Sequence, residues 1–231
     1  MLAARAGLAF ALAALPLAGC THHRDGPVET HYVDFSTEVP RGNRITHCHA
    51  YGCKMQTRFL FTAADIATLR TLMERTRKAD SPHEERRAVA YGIAWMEKRV
   101  GDVTGTSADR AGDDYAGIGD PTQMDCVDTA TNSTNYLLVL HHNGLLRHHR
   151  VGTPFSKEDL TRGVAGWPHW TAVLVETAPP GRQGQTGAGP KGTGQRWAVD
   201  GWMFASGENP AIIEAEKWYI EEKDSHRIAL R

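Results

Sequence analysis

The chain has 231 residues, with 23 Gly, 11 Pro, four Cys and a formal net charge of −1. That length suits one domain with an extension, and a hydrophobic content of 41% is enough to build a core, which excludes a disordered tail. The balance of 26 Lys and Arg against 27 Asp and Glu argues against a nucleic-acid partner, whose phosphates call for a basic surplus. Four Cys in this length are too sparse for a disulfide scaffold.

The chain opens MLAARAGLAFALAALPLAGC. Arg5 is a positive flank, Gly7 to Leu15 a short apolar stretch, and Leu17, Ala18 and Gly19 are the residues before Cys20. Residues 1–19 read as a secretory signal, too short for a spanning helix, which takes about 20 apolar residues. The Leu-Ala-Gly-Cys run resembles the bacterial lipobox. That resemblance implies cleavage before Cys20, acylation of Cys20 and attachment to the bacterial cell envelope. Thr21 stands where an Asp commonly retains such proteins at the inner membrane, so the expected place is the outer membrane, facing the periplasm.

Residues 20–44 lack helical periodicity and read as a tether, with a short strand near His31–Phe35. From 45 to 231 the pattern is that of a single domain, helical over 45–120 and with its chemistry in 121–231. Met55–Phe61 alternates as a strand. Thr62 is an N-cap for a helix over Ala63–Lys78 with Ile66, Leu69, Leu72 and Met73 as its apolar stripe. A second helix begins near Pro82, places Val89, Ile93 and Met96 on one face, and is expected to end at Gly101. Residues 102–122 read as a loop. A helix then runs from Cys126 to Asn143-Gly144, and Leu145–Val151 reads as a strand. Ser156 and Asp159 stand in capping-box spacing for a further helix. His169–Glu176 and Arg196–Phe204 are aromatic and β-branched and read as strands. The Gly/Pro/Gln-rich run 179–195 between them is a loop, and Pro210 is expected to open a final helix carrying Ile212, Ile213 and Trp218.

Cys126 stands at a helix start, where free N–H groups and the dipole favour a thiolate. Ala130, Ser133, Leu137 and Leu140 continue its stripe inward. His169 opens one expected strand and Asp200 lies in the next, so an antiparallel pairing would set the two side by side, with Asp200 fixing the imidazole and His169 taking the thiol proton. The order Cys, His, Asp, with Asp125-Cys126-Val127-Asp128, the run into Gly144, His169-Trp170 before Val173-Leu174-Val175, and Trp197-Ala198-Val199-Asp200, resembles the bacterial transglutaminase-like cysteine proteinases of the papain-like superfamily. The resemblance covers Gln123 to Phe204. It implies an α+β fold with the Cys-bearing helix packed on an antiparallel sheet, and a thioester acyl-enzyme mechanism. The oxyanion donors would be the Cys126 N–H and the side chain of Gln123, with Trp170 and Trp202 as walls of the substrate cleft. Some periplasmic relatives bind calcium through acidic residues near the site. Asp125 and Asp128 stand where that would happen, with Asp113 and Asp114 upstream. The simpler reading of Asp128, a carboxylate favoured in a first helical turn, is preferred, so no cofactor or metal is expected.

Cys48 and Cys53 sit in the compact run ITHCHAYGC. In an oxidising periplasm they most simply form a disulfide; zinc held by His47, Cys48, His49 and Cys53 is the alternative, though the spacing of a zinc finger is missing. His141-His142 and His148-His149 flank a helix end, where imidazolium is favoured, and are taken as polar surface residues and not as a metal patch. The expected function is a lipid-anchored cysteine peptidase or amidase acting on a protein or cell-wall peptide. The alternatives are a protein-crosslinking acyltransferase, a catalytically silent envelope binding module, and a His-rich metal-binding lipoprotein.

Overall fold

The computed structural model describes residues 26–112, 115–157, 168–177 and 194–220. The signal segment, Cys20, Asp113, Asp114 and nearly all of the 179–195 loop lie outside the described residues. The order of elements is α1 (Glu29–Asp34), β1 (Arg44–His49), β2 (Met55–Leu60), α2 (Ala63–Thr76), α3 (Pro82–Thr104), α4 (Cys126–His142), β3 (His149–Lys157), β4 (His169–Glu176), β5 (Arg196–Asp200), β6 (Ala211–Glu214) and α5 (Ala215–Ile220). Short 3₁₀ turns at Thr106–Ala108 and Tyr115–Gly117 lie between α3 and α4. The fold is mixed α+β with two antiparallel sheets, a β1–β2 ribbon and a four-stranded sheet in the order β3-β4-β5-β6.

Local chemistry places the helices. Thr62 and Asp65 form a reciprocal capping box that starts α2. Ser81 caps α3, and Pro82 takes its first turn, where a missing N–H costs nothing. Gly101 does not end α3. A Cβ there would lie 2.6 Å from Ser107 Oγ and 2.7 Å from its backbone N, so the residue is small because the chain folds back against it. The helix stops at Gly105, whose φ of 86° is the left-handed conformation of a C-cap.

The sheet is covered on both faces. Ala172, Leu174 and Val199 share one apolar cluster with Val89, Ile93 and Met96 of α3 and Leu137 and Leu140 of α4. The alternate residues Val173, Val175, Ala198 and Ile213 join Phe155 and Trp218 on the other side. Glu85 of α3, fully buried, accepts the N–H groups of Arg147 and His148 and meets His149 Nδ1 at 3.0 Å, which fixes the entry to β3.

Helix α4 lies between the ribbon and the sheet, and residues 128–137 are all buried. Its asparagine and threonine side chains are matched one by one, while Ser133 Oγ is buried without a hydrogen-bond partner. Asn132 accepts the Cys48 N–H and donates to the Cys48 carbonyl, both at 2.8 Å. Asn135 donates to the Thr46 carbonyl and accepts the Tyr32 hydroxyl, again at 2.8 Å.

Other expectations change besides that for Gly101. The strand near His31–Phe35 is helix α1, and the segment read as a tether packs through buried His31 and Tyr32. Ser156 and Lys157 end β3 opposite Trp170 and His169, where cross-strand pairing outweighs the capping pattern, and Asp159, the other half of that pattern, lies outside the described residues. The strand expected at Leu145 begins at His149, once the chain has turned past Glu85. Ile212 and Ile213 lie in β6, paired to Val199 and Ala198, so helix α5 begins only at Ala215.

Replacing Asn132 by Leu strands two buried backbone groups of Cys48, at about 1–3 kcal/mol each. We expect urea denaturation to give a loss of about 3 kcal/mol, with the slope of the transition unchanged.

Candidate active site

Asp200 ends β5 and His169 opens β4. Both stand on the α5 side of the sheet, because His169 alternates in phase with Val173 and Asp200 with Ala198, and those two residues are cross-strand partners. His169 Nε2 meets Asp200 Oδ2 at 2.8 Å, and both side chains are buried. A carboxylate only accepts, so Nε2 carries the proton and the lone pair of the neutral ring falls on Nδ1. That Nδ1 is buried and has no hydrogen-bond partner.

Asp200 has two further donors. The Trp218 indole N–H donates to Oδ2 at 2.8 Å and the Trp202 N–H to Oδ1 at 3.2 Å. Burial alone would raise its pKa. The charge and hydrogen bond of His169, the Trp218 indole and the Lys157 charge outweigh that and hold it below the ordinary carboxylate value. The imidazole lies between two indoles, with Trp202 at 4.6 Å and Trp218 at 5.3 Å between ring centres. The Lys157 ammonium sits 4.2 Å over the Trp218 ring and donates to the Trp218 carbonyl at 3.1 Å.

Cys126 is the first residue of α4, capped by Asp125, whose side chain accepts the Asp128 N–H at 2.9 Å. Cys126 is half-buried, and its Sγ donates to the carbonyl of Pro168, the residue directly before His169, at 3.5 Å. The thiol thus rests against the open end of β4, beyond Ala172, the first β4 residue paired to β5. The Cys48–Cys53 disulfide is formed.

The other expected site residues have different positions. Gln123 is 1% exposed, and its amide nitrogen donates to the Ala108 carbonyl at 2.9 Å and to Thr122, while its oxygen accepts the Arg110 N–H. Its side chain ties the 108–110 segment to the approach of α4, which takes up the amide expected for an oxyanion. Trp170 lies on the opposite face of β4 from His169, 5.2 Å from Phe35 and 5.3 Å from His31, so it anchors α1 and not the imidazole. Asp125 and Asp128, the calcium alternative, spend their oxygens on backbone amides of residues 51–53 and on each other's.

The zinc alternative fails on strand geometry. His47 and His49 share one face of β1 and Cys48 the other. His47 bonds Thr106 at 3.1 Å, His49 bonds Thr57 and the Pro121 carbonyl, and both cysteines are in the disulfide. Cys48, Cys53 and Asp128 are the one metal-capable group among the described residues, and the bonded sulfurs close it. His148 meets Asp80 and His149 meets Glu85, so these two do not form a patch with His141 and His142, which are exposed.

Sequence reasoning did not single out Glu97 and Asp109. Glu97 accepts the Gly207 N–H at 3.1 Å, and Asp109 accepts the Met124 N–H at 2.7 Å while its carbonyl takes the Ser206 N–H. They tie the loop after Asp200 to the chain before Cys126. A Glu in mid-helix and an Asp in a polar loop carry no pattern that marks burial.

Compared with family models, with curated proteins and with solved structures, the chain matches none.

Burial, and after it the charge of Asp109, pushes Glu97 from an ordinary 4.5 up to about 8. Its folded pKa exceeds its unfolded one, so the folded state binds the extra proton between those values and stability falls as pH rises through that window. Glu97→Gln keeps an oxygen for Gly207 and removes the charge. We expect it to exceed the parent in urea denaturation by on the order of 1–3 kcal/mol at about pH 8.5, and to match it near pH 4.5. A parent stability that is flat across this range would contradict the assignment.

Proposed function

We propose that the chain is a thiol hydrolase of the transglutaminase-like, papain-like type, with Cys126 as nucleophile, His169 as base and Asp200 as the residue that orients the base. One observation carries the reading. His169 Nδ1 is one of a small group of buried side-chain polar atoms without a hydrogen-bond partner among the described residues, and it is on the ring that Asp200 holds, one residue from the carbonyl against which the Cys126 thiol rests. A histidine kept only for packing would gain from a partner there.

In this mechanism Nδ1 takes the thiol proton and the thiolate adds to an amide carbonyl. The Cys126 N–H, in the first turn of α4, is the backbone donor we assign to the developing oxyanion. The imidazolium, held by Asp200 between two indoles, then protonates the leaving amine. Water enters, gives its proton to Nδ1 and releases the acid from the thioester. Gln123 has no part in this scheme.

The substrate class we assign is a protein or cell-wall peptide amide in the bacterial envelope, reached by a chain anchored through acylated Cys20. The lipobox-like N-terminus and the near-neutral charge support this reading.

Alkylation of the parent by a limiting haloacetamide, read by peptide mass spectrometry, should show Cys126 reacting with a midpoint well below the ordinary thiol value of about 8.5. His169→Ala should slow the reaction at neutral pH by about tenfold or more, since each unit of thiol pKa is tenfold in thiolate. Asp200→Asn should slow it in the same direction, because the ring loses the acceptor that sets its tautomer. An ordinary midpoint in the parent, or unchanged kinetics in His169→Ala, would remove the proposed base.

A further inference from the structure

The turn between β1 and β2 has the least ordinary backbone in the described chain. Ala50, Tyr51, Gly52 and Cys53 have φ values of 69°, 71°, 67° and 57°, four successive residues in the left-handed region, of which only one is glycine. Side-chain-bearing residues resist this conformation, and a run of them persists only where the surroundings over-determine it.

Two features hold it. The Cys48–Cys53 disulfide closes the turn. On its other side three successive amides meet the start of α4. Tyr51 N–H donates to Asp128 Oδ2 at 2.8 Å, Gly52 N–H to Asp125 Oδ2 at 2.9 Å, and Cys53 N–H to Asp128 Oδ1 at 2.6 Å. A curl of successive N–H groups is a cradle for an anion. Here the anions are the chain's own carboxylates, and they are the two residues that cap the helix on either side of Cys126.

These carboxylates bear on the thiol in two ways. They set the direction in which α4 starts, and with it where Sγ projects. They are also negative groups beside a thiol, which opposes its ionisation unless their charge is taken up. Three donors from one turn take it up. The titratable and charged groups in the constellation are Asp125 and Asp128 on the thiol's own helix, Asp109 and Arg110 in the segment packed before it, and His169 and Asp200 on β4 and β5.

We propose that the disulfide-closed turn 50–53 is a positioning element for Cys126, acting through an amide clamp on Asp125 and Asp128, with Asp128 as the positioning residue at its centre. This deepens the reading of Cys126 as a nucleophile and rests on it. Opening the turn releases three donors, leaves two acidic side chains beside the thiol with less compensation, and lets the first turn of α4 move. The thiol then becomes harder to ionise and slower to react.

The test is the pH profile of Cys126 alkylation, read at peptide level, in three proteins: the parent, the Cys48→Ala/Cys53→Ala double variant and Asp128→Asn. Asp128→Asn keeps the disulfide but turns one acceptor oxygen into an NH2 that faces an amide donor. The clamp predicts that both variants keep the far-ultraviolet circular dichroism of the parent. For the double variant it also predicts a midpoint raised by about one unit and a rate at neutral pH lowered about tenfold. Asp128→Asn also removes a negative charge, so its reading is the plateau rate above the midpoint, lowered about tenfold, and both variants should show faster hydrogen exchange at Tyr51, Gly52 and Cys53. If the double variant does not fold, Asp128→Asn decides. A folded variant with the parent's profile overturns the clamp. A parent midpoint near the ordinary thiol value instead overturns the nucleophile reading, whatever the variants do.

Discussion

Asn132 binds both polar groups of the Cys48 backbone, and most of the molecule is arranged around that pair of bonds. A two-stranded ribbon is marginal on its own. Here the side chains of a helix stand in for a third strand: Asn132 pairs with Cys48, and Asn135, one turn away, with the Thr46 carbonyl. An apolar interface could slide by a residue at little cost, whereas buried amides matched to backbone groups cannot, because each slip leaves a donor and an acceptor unpaired. The same helix face takes Tyr32 and His31, through Asn135 and Thr131, so α1 is docked by the same means. One consequence is that the 50–53 turn, two residues beyond Cys48, lies over the first turn of α4.

The candidate site sits where that helix start meets an open strand end. The sheet supplies two residues on one face. His169 and Asp200 are brought together by register, since β4 and β5 are antiparallel and each residue alternates in phase with a known cross-strand pair. What the register leaves free, α5 and the loop after β5 constrain. Trp218 and Trp202 each give an N–H to the Asp200 carboxylate and a ring to the imidazole. Lys157, opposite His169 on β3, reaches the Trp218 carbonyl and the indole face. The pair is therefore held by residues from β3 to α5, although only β4 and β5 carry it.

Much of this was legible in the chain. The aromatic and β-branched runs His169–Glu176 and Arg196–Phe204 marked β4 and β5, although β5 ends at Asp200, and the cap at Thr62 and the Pro82 start marked α2 and α3. Those signals are local, and so they could be read. The placements that escaped depend on tertiary partners. His31 and Tyr32 look like tether residues until Thr131 and Asn135 are opposite them. Gly101 has the look of a helix stop because the close pass of Ser107 leaves no mark in the sequence. Trp170 and Trp202 each follow a proposed site residue closely, yet strand alternation sends Trp170 to the α1 side, while the turn after β5 keeps Trp202 on the imidazole. Gln123 sits three residues before Cys126, a spacing that suits an oxyanion donor, but the 108–110 segment claims its amide.

The buried acids divide by the company they keep, and the division bears on the thiol. Asp200 and Glu85 each face cationic or imidazole partners, which overcome burial and keep them below the ordinary carboxylate range. Asp125, Asp128, Glu97 and Asp109 are met largely by backbone amides, and burial lifts all four. These four are not scattered. Asp125 and Asp128 flank Cys126 in α4, Asp109 holds the Met124 N–H just before them, and Glu97 holds the loop that follows Asp200. One side of the site thus carries a concentration of acid groups met mainly by amide dipoles, with the Arg110 charge also acting on Asp109, while the other carries the imidazole. Ionising the thiol would place a negative charge beside these groups. The imidazole can answer with a full positive charge, but the amides must already be in place, since their dipoles are fixed by the backbone. In the proposed mechanism the reactivity of Cys126 depends on backbone geometry as well as on the His169–Asp200 pair, and the left-handed turn at 50–53 is where that geometry is held against its own steric preference.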